Sequence, residues 1–148
     1  MSKPADITFD TTVHVYNHCL CFAAQRAARA LARRFDEALA PLGLTSGQFS
    51  LLTSLNRPVP PSIGAVASLL VMDRTTLTAN LKPLERRGLV KIGIDPADRR
   101  SRRLTLTKAG RALLRSAMPV WTRTHAEIDG RLAQTDPAAL RVGLRLLG

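Results

Sequence analysis

The segment from residue 61 to residue 110 constrains the fold of this chain more than any other part of its sequence. Ser62 and Asp73 each precede a short run with apolar residues at three- and four-residue spacing, and their side chains favour the N-cap position of a helix. Gly88 ends the second run, as glycine commonly does at a helix C-terminus. The segment therefore predicts two short consecutive helices joined by a tight turn.

A β-hairpin is predicted directly after the second helix. Residues 89–92 and 104–106 have the apolar character of strands, whereas residues 95–103 are too polar to pack. Four arginines in this turn would repel one another unless phosphate or acidic groups neutralised them, although a solvated hairpin loop is the plainer alternative. Two helices and a hairpin in this order are typical of a winged helix-turn-helix.

The second helix of the pair has two chemically distinct faces. Leu77, Leu81 and Leu84 line one side, which is expected to face the core. At 100° per residue, the opposite side carries Thr75, Ala79, Lys82 and Arg86, with Thr78 at its edge. Hydroxyl groups and cations on the face away from the core suit a helix that contacts a DNA groove.

Positive charge is concentrated in the same part of the chain. The sequence contains 22 Lys and Arg against 11 Asp and Glu, which gives a formal net charge of +11 and a pI near 11.3. Residues 73–111 hold eleven basic and four acidic residues, an excess of seven in about a quarter of the chain. This concentration favours a nucleic-acid-binding surface over a general solvated charged face.

Helical patterns precede this module. Apolar residues at three- and four-residue spacing predict one long helix over residues 11–39. Its length of about 40 Å is more than one side of so small a domain covers, so part of its apolar stripe is expected to contact a second copy of the chain. Thr45 and Gln48 then have the form of a capping box and predict a further helix to about residue 55.

Two more helices are predicted after the hairpin. Thr107 is an N-cap candidate for a helix that ends near residue 132. Asp136 is followed by Pro137, and this pair predicts a last short helix that ends near residue 147.

Several classes of protein are disfavoured. No apolar run reaches the length of a membrane span and the N-terminus lacks the layout of a signal peptide, so a cytoplasmic protein without a membrane partner is expected. Cys19 and Cys21 point about 200° apart on a helix and are not expected to form a mutual disulfide. No glycine-rich phosphate loop, nucleophile elbow or carboxylate pair is present, so neither an enzyme nor a cofactor is predicted.

Three motifs resemble those of the MarR family of bacterial transcription regulators. Residues 95–110 carry Asp-Pro-x-Asp-Arg-Arg-x5-Leu-Thr-x2-Gly, preceded by Asp-Arg-Thr-Thr at 73–76 and Leu-Glu-Arg-Arg-Gly-Leu-Val at 84–90. The order of the helices extends the resemblance over nearly the whole chain. It implies a mainly α fold with a small β-hairpin wing. Residues 45–110 would form the winged helix-turn-helix, and residues 1–44 and 111–148 a helical dimerisation region, within one intertwined domain.

The same resemblance implies how a homodimer would meet a double-stranded operator. Helix 73–87 would enter the major groove and the wing the adjacent minor groove, where Asp98 would orient the guanidinium of Arg100. This chain has Ala79 where many relatives carry arginine, and Pro83 lies inside the helix. The expected DNA contacts are Arg74, Thr75, Thr76, Thr78, Lys82, Arg86, Asp98, Arg99, Arg100 and Arg102.

A thiol is one candidate for the signal. Leu20-Cys21-Phe22 resembles the organic-hydroperoxide-sensing (OhrR) branch of the family, in which oxidation of the cysteine releases the operator. Cys21, with Cys19 close by, is therefore a candidate redox sensor. Gln25 and Phe35 occupy the positions where that branch has tyrosines, and a cysteine that only packs in the core is the alternative.

Two other signals are considered. Phe22, Phe49, Met72 and Trp121 are candidates to line a cleft for a small aromatic or amphipathic effector, although such residues are more often plain core. His14 and His18 have i,i+4 spacing that could hold a metal, but no acidic cluster joins them and no metal site is predicted.

Together these features predict a sequence-specific transcription regulator, most simply a repressor. The homodimer would bind a pseudo-palindromic operator and be released by a small ligand or by thiol oxidation. The alternative is a non-specific, nucleoid-associated DNA-binding protein, because phosphate contacts alone would use the same arginines.

Overall fold

The fold of the chain was obtained as a computed structural model that describes residues 6–148. It is mainly α-helical with one antiparallel β-hairpin, which confirms the predicted fold class. The elements are α1 (Phe9–His18), α2 (Leu20–Leu39), a 3-10 turn (Ala40–Leu42), α3 (Ser46–Ser54), α4 (Ile63–Leu69), α5 (Arg74–Arg86), β1 (Val90–Ile94), β2 (Arg102–Leu106), α6 (Lys108–Arg131) and α7 (Pro137–Arg145). The first five residues, which belong to the predicted dimerisation region 1–44 and to the N-terminus compared with a signal peptide, lie outside the described part.

The N-terminal helix is interrupted, and the prediction of one helix over residues 11–39 is wrong. Cys19 has an extended backbone with ψ of 109°, which separates α1 from α2. Its sulfur accepts a hydrogen bond from the Phe22 N–H at 3.4 Å and so caps the N-terminus of α2. Neither proline nor glycine marks this break in the sequence, which explains why periodicity alone predicted a continuous helix.

The hydrophobic core lies between α2, α3, α5, α6 and the hairpin. Its largest fully buried side chains are mostly leucines, including Leu39 and Leu52, and Leu104 brings the second strand into it. Helix α2 packs along α6, and α3 packs against both. The core thus attaches the helix-turn-helix of α4 and α5 to the long helices on one side.

The predicted helix caps are confirmed. Thr45 and Gln48 form a complete capping box at α3, with reciprocal bonds of 3.1 Å. Ser62 accepts from the Ala65 N–H at 3.1 Å at the start of α4. Thr107 and Asp136 cap α6 and α7 in the same way.

The hairpin is fixed to both neighbouring helices. The Leu104 N–H donates to the Pro61 carbonyl at 2.9 Å, so the segment before α4 extends the two-stranded sheet. On the other side, the Thr107 N–H donates to the Leu89 carbonyl at 3.1 Å. A Cβ atom added to Gly110 would lie 2.2 Å from that carbonyl oxygen, so only glycine allows α6 to approach β1 this closely.

The terminal helices expose apolar side chains. Neither α1 nor α7 contains a buried residue in this single chain. The exposed apolar residues on and beside these two helices include Phe9, Val13, Leu140, Val142, Leu144 and Leu146. Within residues 6–148, no helix combines the length and the apolar character needed to cross a membrane.

Candidate nucleic-acid interface

Helix α5 begins at a strongly bonded cap. The Asp73 carboxylate accepts from the Thr76 N–H at 2.8 Å and from the Thr76 hydroxyl at 2.7 Å. These bonds, the backbone one first, hold the pKa of Asp73 below its ordinary value of 3.8. The Thr76 hydroxyl, expected to contact DNA, is therefore engaged in capping the helix.

The two faces of α5 lie as the sequence predicts. Leu77, Leu81 and Leu84 are fully buried, with a relative exposure of 0%. The opposite side is exposed at Thr75, Thr78, Ala79, Lys82 and Arg86. The buried row holds the helix on the core, so its polar row is presented to the outside without support from other elements.

Arg74 lies at the junction between α4 and α5. A Cβ atom added to Gly64 would lie 2.9 Å from Nη2 of Arg74, so the guanidinium passes closely over the start of α4. The Arg74 carbonyl accepts a hydrogen bond from the Thr78 hydroxyl at 2.8 Å. This arrangement places the Arg74 charge beside the exposed face of α5 rather than at its centre.

The wing has longer strands than predicted. They pair from Val90 with Leu106 to Ile94 with Arg102, so the turn is reduced to residues 95–101. Sequence reasoning limited the strands to 89–92 and 104–106 because Arg102 and Arg103 carry charge. Both arginines nevertheless take strand positions on opposite faces of the hairpin: Arg102 is exposed to solvent, whereas the charge of Arg103 is paired with Asp95.

A partly buried ion pair at the base of the wing was missed by the sequence analysis. The Asp95 side chain is only 9% exposed, and its Oδ2 accepts from Nε of Arg103 at 2.8 Å. Arg103 also donates to the Pro60 carbonyl at 3.1 Å and so joins the wing to the segment before α4. The hydrogen bond from the Ala97 N–H, as the larger effect, and the bond from Arg103 hold the pKa of Asp95 below its ordinary value of 3.8. In the sequence, the opposite charges of these two residues, eight positions apart on either side of the hairpin turn, could have indicated this pair.

The contact expected between Asp98 and the Arg100 guanidinium is not what the structure contains. Oδ1 of Asp98 accepts from the backbone N–H of Arg100 at 3.0 Å, so this carboxylate shapes the turn itself. Arg102 donates to the carbonyl oxygens of Arg99 and Ser101 at 3.1 and 3.3 Å. The side chains of Arg99 and Arg100 are exposed at the tip of the wing.

Of the four residues expected to line an effector cleft, three belong to one packed core and the fourth lies apart. Phe49 is buried in the core, and Met72 and Trp121 pack against that core. Phe22 lies apart from them and lines an open groove of about 530 Å³ that also includes Tyr16 and Arg26. The Arg26 guanidinium lies 5.9 Å from the centroid of the Phe22 ring, a distance at which a cation and an aromatic face attract.

The thiols and histidines lie around the break between α1 and α2. Cys21 is exposed and its sulfur accepts from the Gln25 side-chain amide at 3.2 Å, whereas Cys19 is half-buried. Cys21 is therefore not buried in the core of the single chain. The rings of His14 and His18 stack at 4.2 Å, and the described residues contain no cluster of three or more metal-ligating side chains.

Comparison with known proteins gives regulators rather than enzymes. The MarR family profile matches residues 44–101. The transcriptional activatory protein BadR of Rhodopseudomonas palustris is 37% identical over 95 residues, 62% of this chain and 54% of BadR. The chain thus spans about half the length of that relative.

Solved structures match over more of the chain. The transcriptional repressor CouR bound to a 23-mer DNA duplex has a TM-score of 0.80 and 30% identity, with 97% of this chain and 99% of that chain covered. The regulator MosR of M. tuberculosis in complex with DNA has a TM-score of 0.78 and 37% identity, with coverage of 88% and 93%. CouR of Rhodococcus jostii bound to p-coumaroyl-CoA has a TM-score of 0.70 and 25% identity, with coverage of 87% and 88%.

Proposed function

The chain belongs to the MarR family of DNA-binding transcriptional regulators, and from this premise we propose that it is a homodimeric repressor of a pseudo-palindromic operator. Helix α5 contacts the major groove through Arg74, Thr75, Thr78, Lys82 and Arg86. The wing reaches the minor groove through Arg99, Arg100 and Arg102, while Asp98 shapes the turn of the wing and Thr76 bonds the Asp73 cap of α5.

The observation that carries this proposal is the arrangement of α5 and the wing. The core fixes α5 by three fully buried leucines, while its opposite face and the arginines of the wing tip are exposed. The wing is tied to the segment before α4, because Arg103 donates to the Pro60 carbonyl and the Leu104 N–H donates to the Pro61 carbonyl. Rigid placement of cations on two neighbouring elements suits contacts to both grooves of one duplex.

Homodimerisation is supported by the exposed apolar residues of the terminal helices. Leu140, Leu144 and Leu146 of the C-terminal region are 47%, 51% and 82% exposed. Side chains of this kind are normally removed from water, and a second copy of the chain offers the matching surface. Residues 1–44 and 111–148 are accordingly assigned to the dimer layer and residues 45–110 to DNA binding.

Repression and release are the finer parts of the proposal. CouR, which this chain covers almost completely, is a repressor, whereas BadR is an activatory protein covered to 54%. The complex of CouR with p-coumaroyl-CoA supports a small aromatic or amphipathic effector. Oxidation of Cys21 remains a second route to release, supported by its exposure next to Gln25.

The test is selection of bound duplexes from a random-sequence library. The proposal predicts an inverted repeat whose half-sites lie about one helical turn apart, because the DNA-binding regions of the two protomers are related by symmetry. A library that yields no enriched motif, although the protein retains DNA, would instead support the non-specific, nucleoid-associated alternative.

A further inference from the structure

Between its charged residues, the exposed face of α5 offers methyl groups. The Thr78 hydroxyl donates to the Arg74 carbonyl at 2.8 Å, so its oxygen is engaged with the helix backbone and the methyl group of this exposed side chain is the part left for an apolar contact. Ala79 is exposed next to it and offers only a methyl group. Both residues line a shallow concavity of about 350 Å³, together with Arg74, Thr75 and Lys82.

The cations lie at the margins of this concavity. Arg74 extends over Gly64 of the preceding helix, and Lys82 is one turn beyond Thr78 on α5. Lysine is a compact point charge that suits a phosphate. A guanine edge is typically read by a bidentate arginine and an adenine edge by asparagine or glutamine, and neither kind of side chain occupies the centre of this face.

We propose that α5 recognises thymine 5-methyl groups through the methyl groups of Thr78 and Ala79, while Arg74 and Lys82 hold the flanking phosphates. Thymine presents the apolar group of the major groove, and the methyl groups of alanine and threonine are its usual partners. This inference rests on the proposed function and adds to it the chemistry that selects the operator sequence.

Replacing thymidine by deoxyuridine tests the inference directly. The exchange removes the 5-methyl group and leaves the Watson–Crick edge intact. Each contacted methyl group is expected to contribute about fourfold to affinity, the equivalent of about 0.8 kcal/mol for one buried carbon. A dimer with one such contact in each half-site should therefore bind the uracil duplex about fifteenfold more weakly.

The probe is the duplex selected by the protein, prepared with thymine or with uracil in its half-sites, and the readout is the ratio of the two dissociation constants. A scrambled duplex with the same exchange measures any effect on non-specific binding. Arg100→Ala should weaken binding to both operator duplexes yet keep the same ratio, because the wing contacts the minor groove, where thymine has no methyl group.

Two substitutions at Thr78 separate its methyl group from its hydroxyl group. Thr78→Ser removes the methyl group but keeps the oxygen that bonds the Arg74 carbonyl, so the uracil penalty should fall towards that of Ala79 alone. Thr78→Val keeps a methyl group and removes the hydroxyl group. The full uracil penalty should therefore persist, whatever the absolute affinity of this variant. Thermal unfolding establishes that both variants are folded.

Two results would overturn the inference while leaving the proposed function in place. One is equal binding of thymine and uracil duplexes, each still preferred over the scrambled duplex. The other is an identical uracil penalty for Thr78→Ser and Thr78→Val. If the thymine duplex itself shows no preference over the scrambled one, the proposed function fails and the inference fails with it.

Discussion

Gly110→Ala tests whether the wing is fixed to the start of α6 as described. The added Cβ would lie 2.2 Å from the Leu89 carbonyl oxygen and 2.7 Å from Cδ1 of Leu106. The side chain of Leu106 can rotate, but the Leu89 carbonyl also accepts the Thr107 N–H at 3.1 Å and cannot retreat without weakening that bond. The substitution should therefore separate the hairpin from the helix.

The expected cost follows from three contributions. Overpacking of a close contact costs about 1–3 kcal/mol. A weakened backbone hydrogen bond adds about 1 kcal/mol, and the better helix propensity of alanine returns about 0.5–1 kcal/mol. The net loss is about 1–3.5 kcal/mol, which corresponds to a fall in Tm of about 2–14 °C for a chain of this size.

Gly130→Ala is the matched control in the same helix. No atom lies within 4 Å of a Cβ added at Gly130, so this substitution should raise the stability by about 0.5–1 kcal/mol. The assay is thermal unfolding of wild type and both variants at one protein concentration, because the Tm of the proposed dimer would depend on concentration. A Gly110→Ala variant that melts within about 1 °C of wild type would refute the described contact.

Four further predictions concern binding and pH. Arg100→Ala should weaken operator binding about tenfold or more while leaving the proposed dimer and its Tm nearly unchanged; a monomeric or unfolded variant would contradict this. Lys82→Ala should reduce the slope of log affinity against log salt by about one unit per DNA-binding region. An unchanged slope would show that this lysine does not contact phosphate. If Cys21 senses oxidants, peroxide should weaken operator binding by wild type and spare Cys21→Ser, whereas equal responses would exclude this cysteine. Burial, as the larger cause, and the charge of Arg141 lower the pKa of His125 below its ordinary value of 6.5. As the pH falls, this histidine is therefore protonated at a higher pH in the unfolded chain than in the folded chain. The stability that neutral His125 contributes should be present above pH 6.5 and lost as the pH falls through its lowered pKa, and an equal decline in His125→Gln would contradict this assignment.

Local signals allowed much of the DNA-binding module to be predicted. The caps at Thr45, Ser62 and Asp73 depend on side chains within three residues of the groups that they bond, so their sequence pattern is sufficient. The buried face of α5 follows in the same way from helical periodicity, since the three leucines repeat at three- and four-residue spacing.

Features that depend on an unusual capping residue or on tertiary contacts were not predictable in this way. The break at Cys19 rests on a sulfur that caps a helix, and cysteine is not a usual N-cap residue. The ion pair between Asp95 and Arg103 depends on the register of the hairpin. In that register Arg102 and Arg103 lie in β2, although their charge indicated a turn. The separation of Phe22 from Phe49 depends on how α2 crosses the core, which no local pattern encodes.

The central claim is that this module recognises a DNA sequence and does not merely attract phosphate. The most direct measurement is the ratio of dissociation constants for the selected operator and a scrambled duplex of equal length, taken at one salt concentration near physiological. Sequence-specific recognition predicts a preference of about 10³ or more for the operator. A ratio near one, with affinity for both duplexes falling equally steeply as salt rises, would contradict it.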